Sequence, residues 1–200
     1  MTTPCTETTR NDVAVGSQMM ELATPAPDFE LEEVTDGSTV ALADLAESPA
    51  LVVAFLCKHC PFVVHVQDEF ASLAREYRAR GVQFVGIGSN DPGVSPDDTP
   101  EGLAQQKREV GFDFPYLFDA DQSVAKAYGA ACTPDVFVFD QDRKLAYRGQ
   151  IDSSRPNKGG PDGADLRAAL DALVDGRPVP EDQVPSMGCS IKWAPGNEPA

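Results

Sequence analysis

Leu51-Val-Val-Ala-Phe-Leu-Cys57-Lys58-His59-Cys60-Pro61 is the stretch that decides how this chain is read. Its first six residues are an unbroken apolar run between Pro49 and a Cys-x-x-Cys, the pattern of a strand buried on both faces. Beyond Pro61 the apolar side chains Phe62, Val63, Val66, Phe70, Leu73 and Tyr77 recur at helical spacing. They predict an amphipathic helix that ends near Arg80-Gly81. Val82 to Gly88 is a second buried strand. Strand, helix, strand in that order implies a parallel pair with a right-handed crossover, and so an α/β class.

Toward the amino terminus, Asp36-Gly37 marks a hairpin turn, and Val40 to Ala46 reads as a strand end running into a short helix. Residues 1–22 are polar and Thr-rich and are expected to form a loosely held arm. Toward the carboxyl terminus, a Pro- and Asp-rich loop over 89–99 precedes a helix from about Glu101 to Val110. A short strand follows over Pro115–Phe118, then a short helix over Asp121–Tyr128 with Asp121 near its N-cap. Asp135–Phe139 and Leu145–Arg148 form an antiparallel hairpin, and Leu166, Leu170, Leu173 and Val174 place a final helix over about 162–175. The expected organisation is one domain over 23–175, a central mixed sheet flanked by helices with a hairpin at its start. An extended tail over 176–200, irregular apart from Ser186–Trp193, is anchored through Ile191 and Trp193.

The chain has 200 residues, with 32 Asp plus Glu against 16 Lys plus Arg and a formal charge of −16. That balance repels phosphate backbones and anionic lipid, which argues against nucleic acid as a partner. No apolar run approaches the roughly 18 residues of a membrane helix. Residues 1–22 carry Glu7, Arg10 and Asp12 and show neither a basic n-region nor an apolar h-region, so the expectation is a cytoplasmic protein. In that compartment Cys5, Cys57, Cys60, Cys132 and Cys189 are read as catalytic, redox-sensing or metal-binding rather than as a disulfide framework.

A Cys-x-x-Cys between a buried strand and a helix lies beside unpaired backbone N–H groups and the positive end of the helix dipole, which favour thiolate over thiol. Cys57 is therefore expected to be the nucleophile, its acidity raised further by Lys58 and His59. Cys60, one turn on and more buried, is expected to stay protonated until it resolves a mixed disulfide.

On these residues the chain resembles the thioredoxin-like superfamily, in particular its peroxiredoxin-related branch of alkyl hydroperoxide reductase and thiol-specific antioxidant proteins. The resemblance spans about Thr24–Val174 and rests on Ala26-Pro-Asp-Phe29, Phe55-Leu-Cys-Lys-His-Cys-Pro61 and Ala131-Cys-Thr-Pro134, with a late Gly188-Cys-Ser-Ile-Lys-Trp193 shared by relatives carrying a Cys-x-His-Cys-Pro-Phe motif. It implies a thioredoxin fold in which Pro134 is cis and, with Thr133 before it, faces the Cys-x-x-Cys. It implies no cofactor, a disulfide or hydroperoxide as substrate and an external thiol reductant. The chain departs from the peroxiredoxin pattern Pro-x-x-x-Thr-x-x-Cys. With Cys60 as the reacting sulfur, Val53 and Cys57 occupy the Pro and Thr positions; with Cys57, Ala50 and Ala54 do. It departs from thioredoxin too, since Leu51 stands where a buried acid would serve as proton relay.

Three functions stay open at this level: a thiol-disulfide oxidoreductase, a thiol-dependent peroxidase with Arg148 as its cation, and a non-enzymatic metal or redox sensor using Cys57, Cys60 and Cys132. Cys132, two residues before Pro134, is an auxiliary thiol or a small packing residue. Cys189 can resolve an oxidised Cys57 if the tail folds over the site. His65 shares a helix face with Asp68 and Glu69 and reads as a solvated histidine rather than a metal ligand, and no resident metal is expected. Asp91, Asp97 and Asp98 lack calcium-loop spacing and read as a solvated connection.

Overall fold

The computed structural model describes residues 14–45 and 48–199, and Cys5 lies outside them. Three short strands come first: β1 (Ala14–Gly16), β2 (Glu30–Glu33) and β3 (Thr39–Ala41). β2 and β3 pair from Glu30↔Ala41 to Glu32↔Thr39, around a turn in which Gly37 takes φ +71°, a conformation that side chains disfavour. A 3-10 turn (Leu42–Leu45) leads to β4 (Ala50–Phe55), α1 (Pro61–Arg78), β5 (Gln83–Gly88), α2 (Pro100–Val110), β6 (Tyr116–Phe118) and α3 (Ser123–Tyr128). The remaining elements are β7 (Cys132–Thr133), β8 (Asp135–Asp140), β9 (Leu145–Gly149), α4 (Ala164–Val174) and β10 (Met187–Ser190).

The main sheet runs β3-β2-β6-β5-β4-β8-β9. β4, β5 and β6 are mutually parallel, whereas β8 runs antiparallel to β4. The result is the mixed sheet expected of a thioredoxin fold. Every residue of β4 is buried. Val52 and Ala54 face a core built with α1, α2 and α4, and Leu51, Val53 and Phe55 face a second core built with α3 and the 3-10 turn. Helices on both faces are why the run is apolar without alternation. In the first core Phe70 stacks edge-on against Phe84, Phe112 and Phe114.

One expectation requires correction. The arm does not stay loose to residue 22, because β1 pairs with β10 from Ala14↔Cys189 to Gly16↔Met187, and Met20 and Leu22 pack on the second core. In the tail, the stretch 186–193 set apart from the irregular remainder carries β10, the central strand of a separate sheet, β1-β10-β7. Asp121 does lie beside the N-cap of α3, which is Gln122, and its Oδ1 accepts the Ser123 N–H at 2.9 Å.

Phe70→Ala removes the centre of the aromatic cluster and should cost about 3–5 kcal/mol of unfolding free energy. Urea denaturation followed by far-UV circular dichroism measures this, and a loss below about 1 kcal/mol would contradict the packing described.

Candidate functional site

The motif occupies the gap between β4 and α1. Cys60 is the N-cap residue of α1 and Pro61 its first helical residue, where a missing N–H costs nothing. Cys57 lies three residues earlier, with its carbonyl accepting from Gln106 Nε2 at 3.1 Å. Gln106 is itself held by the Tyr116 hydroxyl, 3.2 Å from its Oε1. Both sulfurs are buried, at 1% exposure for Cys57 and 0% for Cys60.

Thr133 and Pro134 stand opposite, joined by a cis peptide bond. The Cys57 Sγ is 3.1 Å from Thr133 Oγ1, and the Cys60 Sγ is 3.2 Å from the Thr133 carbonyl. One residue thus touches both sulfurs. It also gives Cys57 a neighbouring hydroxyl, which the linear peroxiredoxin pattern lacks in this chain. The Cys60 Sγ further approaches the Cys189 Sγ to 2.7 Å.

The order of acidity differs from the expected one. Burial pushes the Cys57 thiol up, and its hydrogen bond to Cys60 and the charge of Asp98 push the same way. Cys60 is lowered, first by its hydrogen bonds with Cys189 and Cys57, and also by the backbone N–H of Val63 in the first turn of α1. The helix begins at Cys60 and not at Cys57, so the anion-favouring position falls to the second sulfur. The Lys58 ammonium is turned to Gln105 Oε1 at 2.8 Å.

His59 carries a partner that the sequence reading missed. Its Nδ1 lies 2.9 Å from Asp98 Oδ2. Asp98 is 1% exposed and also accepts from the Lys58 N–H at 2.7 Å, Asn90 Nδ2 at 2.8 Å and Ser95 Oγ at 2.7 Å. The solvated connection expected here is corrected for this residue: four protein donors replace water around the carboxylate. Burial acts to raise the Asp98 pKa, but the hydrogen bonds from His59, Asn90, Ser95 and Lys58 outweigh it and hold it below its ordinary value. His59 moves up in turn, through the same hydrogen bond.

Cys57, His59 and Asp98 each place one donor atom within 4.8 Å of the other two. Soft sulfur with imidazole and carboxylate is a set that can hold a divalent ion such as zinc. Both Asp98 oxygens, however, are already engaged by protein donors, so an ion would have to displace them. The trio of Cys57, Cys60 and Cys132 is not the one brought together. Cys132 lies on the other side of the strand from Thr133, its sulfur 3.6 Å from the Pro134 carbonyl, and burial pushes its pKa up. His65 bonds Ser154 Oγ at 2.9 Å. Arg148 is buried with Asp135 at 3.4 Å, the Gly129 carbonyl at 2.7 Å and the face of Phe137, so its cation is already taken up.

This geometry has counterparts. The Redoxin family profile matches residues 21–170. A crystal structure of a conserved protein from Geobacillus kaustophilus is 55% identical, with a TM-score of 0.90 over 92% of this chain and 98% of that one. Peroxidoxin BcpB from Mycobacterium tuberculosis is 25% identical, with a TM-score of 0.59 over 80% of this chain and 99% of its own. The thiol-disulfide oxidoreductase ResA of Bacillus subtilis is 24% identical over 68% of this chain and 70% of its own length.

The contact with Asp98 should show directly in the titration of His59. In NMR the His59 ring protons should titrate with a midpoint above 6.5, and Asp98→Asn should bring that midpoint down. An unchanged midpoint in a folded Asp98→Asn protein would remove the pair.

Proposed function

Since the chain belongs to the Redoxin family, we propose that it is a thiol-disulfide oxidoreductase whose working dithiol is Cys57 with Cys60. The observation that carries this reading is the convergence of both sulfurs on Thr133 at the start of α1, with a histidine–carboxylate pair beside Cys57. Its substrates are thiols and disulfides, protein or small-molecule.

The residues divide the work by their surroundings. Cys57 holds a proton in the reduced form and must lose it to attack. His59, with a ring nitrogen within 4.8 Å of the Cys57 sulfur, is assigned as the acceptor, and Asp98 stabilises the imidazolium that results. Buried Asp98 thus fills the proton-relay place that Leu51 leaves empty. Cys57 then attacks one sulfur of a substrate disulfide and expels the other as a thiolate. Cys60, already biased toward its thiolate, attacks the Cys57 sulfur of the mixed disulfide and releases the second product thiol. An external dithiol reverses the two exchanges to regenerate the enzyme. Peroxide reduction is the second reading. The Thr133 hydroxyl beside Cys57 favours it, and the engagement of Arg148 elsewhere counts against it.

Two measurements test this function. Reduction of insulin disulfides, with dithiothreitol as the electron source, should fall far below the wild-type rate in Cys57→Ser and to the uncatalysed rate in Cys60→Ser, and a Cys57→Ser protein of undiminished rate would refute the assignment. Stopped-flow oxidation by hydrogen peroxide should be no faster than that of free cysteine, and a much faster rate would favour the peroxidase.

The pH dependence follows from His59, which accepts a proton only when neutral. Because Asp98 raises its pKa, the rate should climb with pH along a limb centred above 6.5, and Asp98→Asn should move that limb to lower pH. His59→Ala should slow exchange by about 10²-fold and flatten the limb; a limb unchanged in both variants would exclude His59 as the base.

A further inference from the structure

The dithiol does not account for a third sulfur at the site. Cys189 is 4% exposed and sits on β10, more than a hundred residues from the motif in sequence. Its Sγ is 2.7 Å from that of Cys60, well inside ordinary non-bonded contact and beyond the bonded length of about 2.05 Å. Two features of the backbone hold it there. β10 pairs antiparallel with β7 in the register Cys189↔Thr133 and Ser190↔Cys132, so Cys189 lies directly across from the residue that contacts both motif sulfurs. Gly188 makes the approach possible, because a Cβ at that position would collide with the Thr133 carbonyl. On its other edge β10 is backed by β1.

We propose that Cys189 is a third redox-active cysteine, which takes the disulfide from the Cys57–Cys60 pair and holds it as a Cys60–Cys189 bond. The proposal rests on the dithiol function above and extends it. Once Cys57 and Cys60 have been oxidised by a substrate disulfide, the Cys189 sulfur gives up its proton and attacks the Cys60 sulfur. The Cys60–Cys189 bond forms, the Cys57–Cys60 bond breaks, and the leaving Cys57 sulfur takes up a proton, so the proton lost by the Cys189 thiol is balanced by the one gained at Cys57. The step is an internal exchange, so no electrons enter or leave the protein. Cys60 is the sulfur attacked because it is the one against which Cys189 is packed.

The same register identifies what β10 stands in for. A substrate segment that paired on the β7 edge in the same way would place a cysteine where Cys189 now lies, since backbone pairing on a free edge needs only an extended chain. β10 is therefore the resident occupant of the edge. Its disulfide with Cys60 ties the occupant down in the oxidised enzyme, and reduction by an external thiol frees it.

Disulfide mapping tests the proposal. Trypsin cuts after Lys58, so Cys57, Cys60, Cys132 and Cys189 fall on separate peptides. The reduced full-length protein is treated with hydroxyethyl disulfide, quenched in acid, alkylated, digested and analysed by mass spectrometry. The wild type should yield a linked Cys60–Cys189 peptide pair. In Cys189→Ser and Cys189→Ala the disulfide should remain wholly between Cys57 and Cys60. In Cys57→Ser the Cys60–Cys189 link should still form, through a mixed disulfide between Cys60 and the reagent. Circular dichroism confirms that each variant is folded.

A wild type carrying Cys57–Cys60 alone, together with a Cys57→Ser protein in which Cys60 and Cys189 stay unlinked, overturns the proposal and leaves the dithiol function intact. No motif disulfide in any variant, with insulin reduction also absent, overturns both. The links expected above, combined with a midpoint in a glutathione redox buffer that differs between wild type and Cys189→Ser, support the relay.

Discussion

A single buried carboxylate holds the motif loop, the loop after β5 and the carboxyl-terminal segment in one arrangement. A carboxylate inside a protein is tolerated only where donors replace its water. Asp98 finds one on the backbone of Lys58, one on the imidazole of His59 and two on Asn90 and Ser95. Asn90 extends the network, because its Oδ1 accepts the Lys192 N–H at 2.8 Å. The Lys192 carbonyl accepts from the Asp91 N–H at 2.8 Å and from Gln122 Nε2 at 3.0 Å. The segment that carries Cys189 is thereby fixed to the loop that orients His59. Acid should loosen this arrangement. The folded-state pKa of Asp98 lies below its ordinary 3.8, so its contribution to stability is present above that value and is lost as pH falls through the lower, folded one.

How much of this was legible in the sequence depended on the range of the interaction concerned. β4, α1 and β5 are written in local periodicity: a six-residue apolar run, a helical stripe, a second run. The structure places them within a residue or two of the expected bounds. Cys57, Cys60, Thr133 and Pro134 were legible as a constellation because the family resemblance supplies the long-range pairing that spacing alone does not. Asp98 was not. It sits in a loop with Asp91 and Asp97, and its burial is decided by donors on Lys58 and His59, some 40 positions away in the chain. A carboxylate two residues before a Pro100 helix start carries no mark of that. β10 was equally hidden, since Met187-Gly-Cys-Ser has no alternating pattern and becomes a strand through partners supplied by β1 and β7. The order of acidity failed by three residues: the dipole argument was sound, but the helix it invoked starts at Cys60.

The two sheets are held together on different terms, and that difference bears on how a site with two buried sulfurs can be reached. β4 is paired on both sides along its whole length and covered by helices on both faces, so opening it amounts to global unfolding. β10 meets β7 in two registered positions and β1 in three, and the chain just beyond its end is held by the Ile191 N–H on the Ala131 carbonyl and by the Lys192 contacts. Elements with so few backbone pairs open at a fraction of the global free energy. Access to Cys60 is thus set by the smaller sheet, while the larger one keeps Cys57, His59 and Asp98 in place. Lifting that one short strand would uncover a sulfur that is otherwise shielded from oxidation, and the pairing of the larger sheet would be untouched by it.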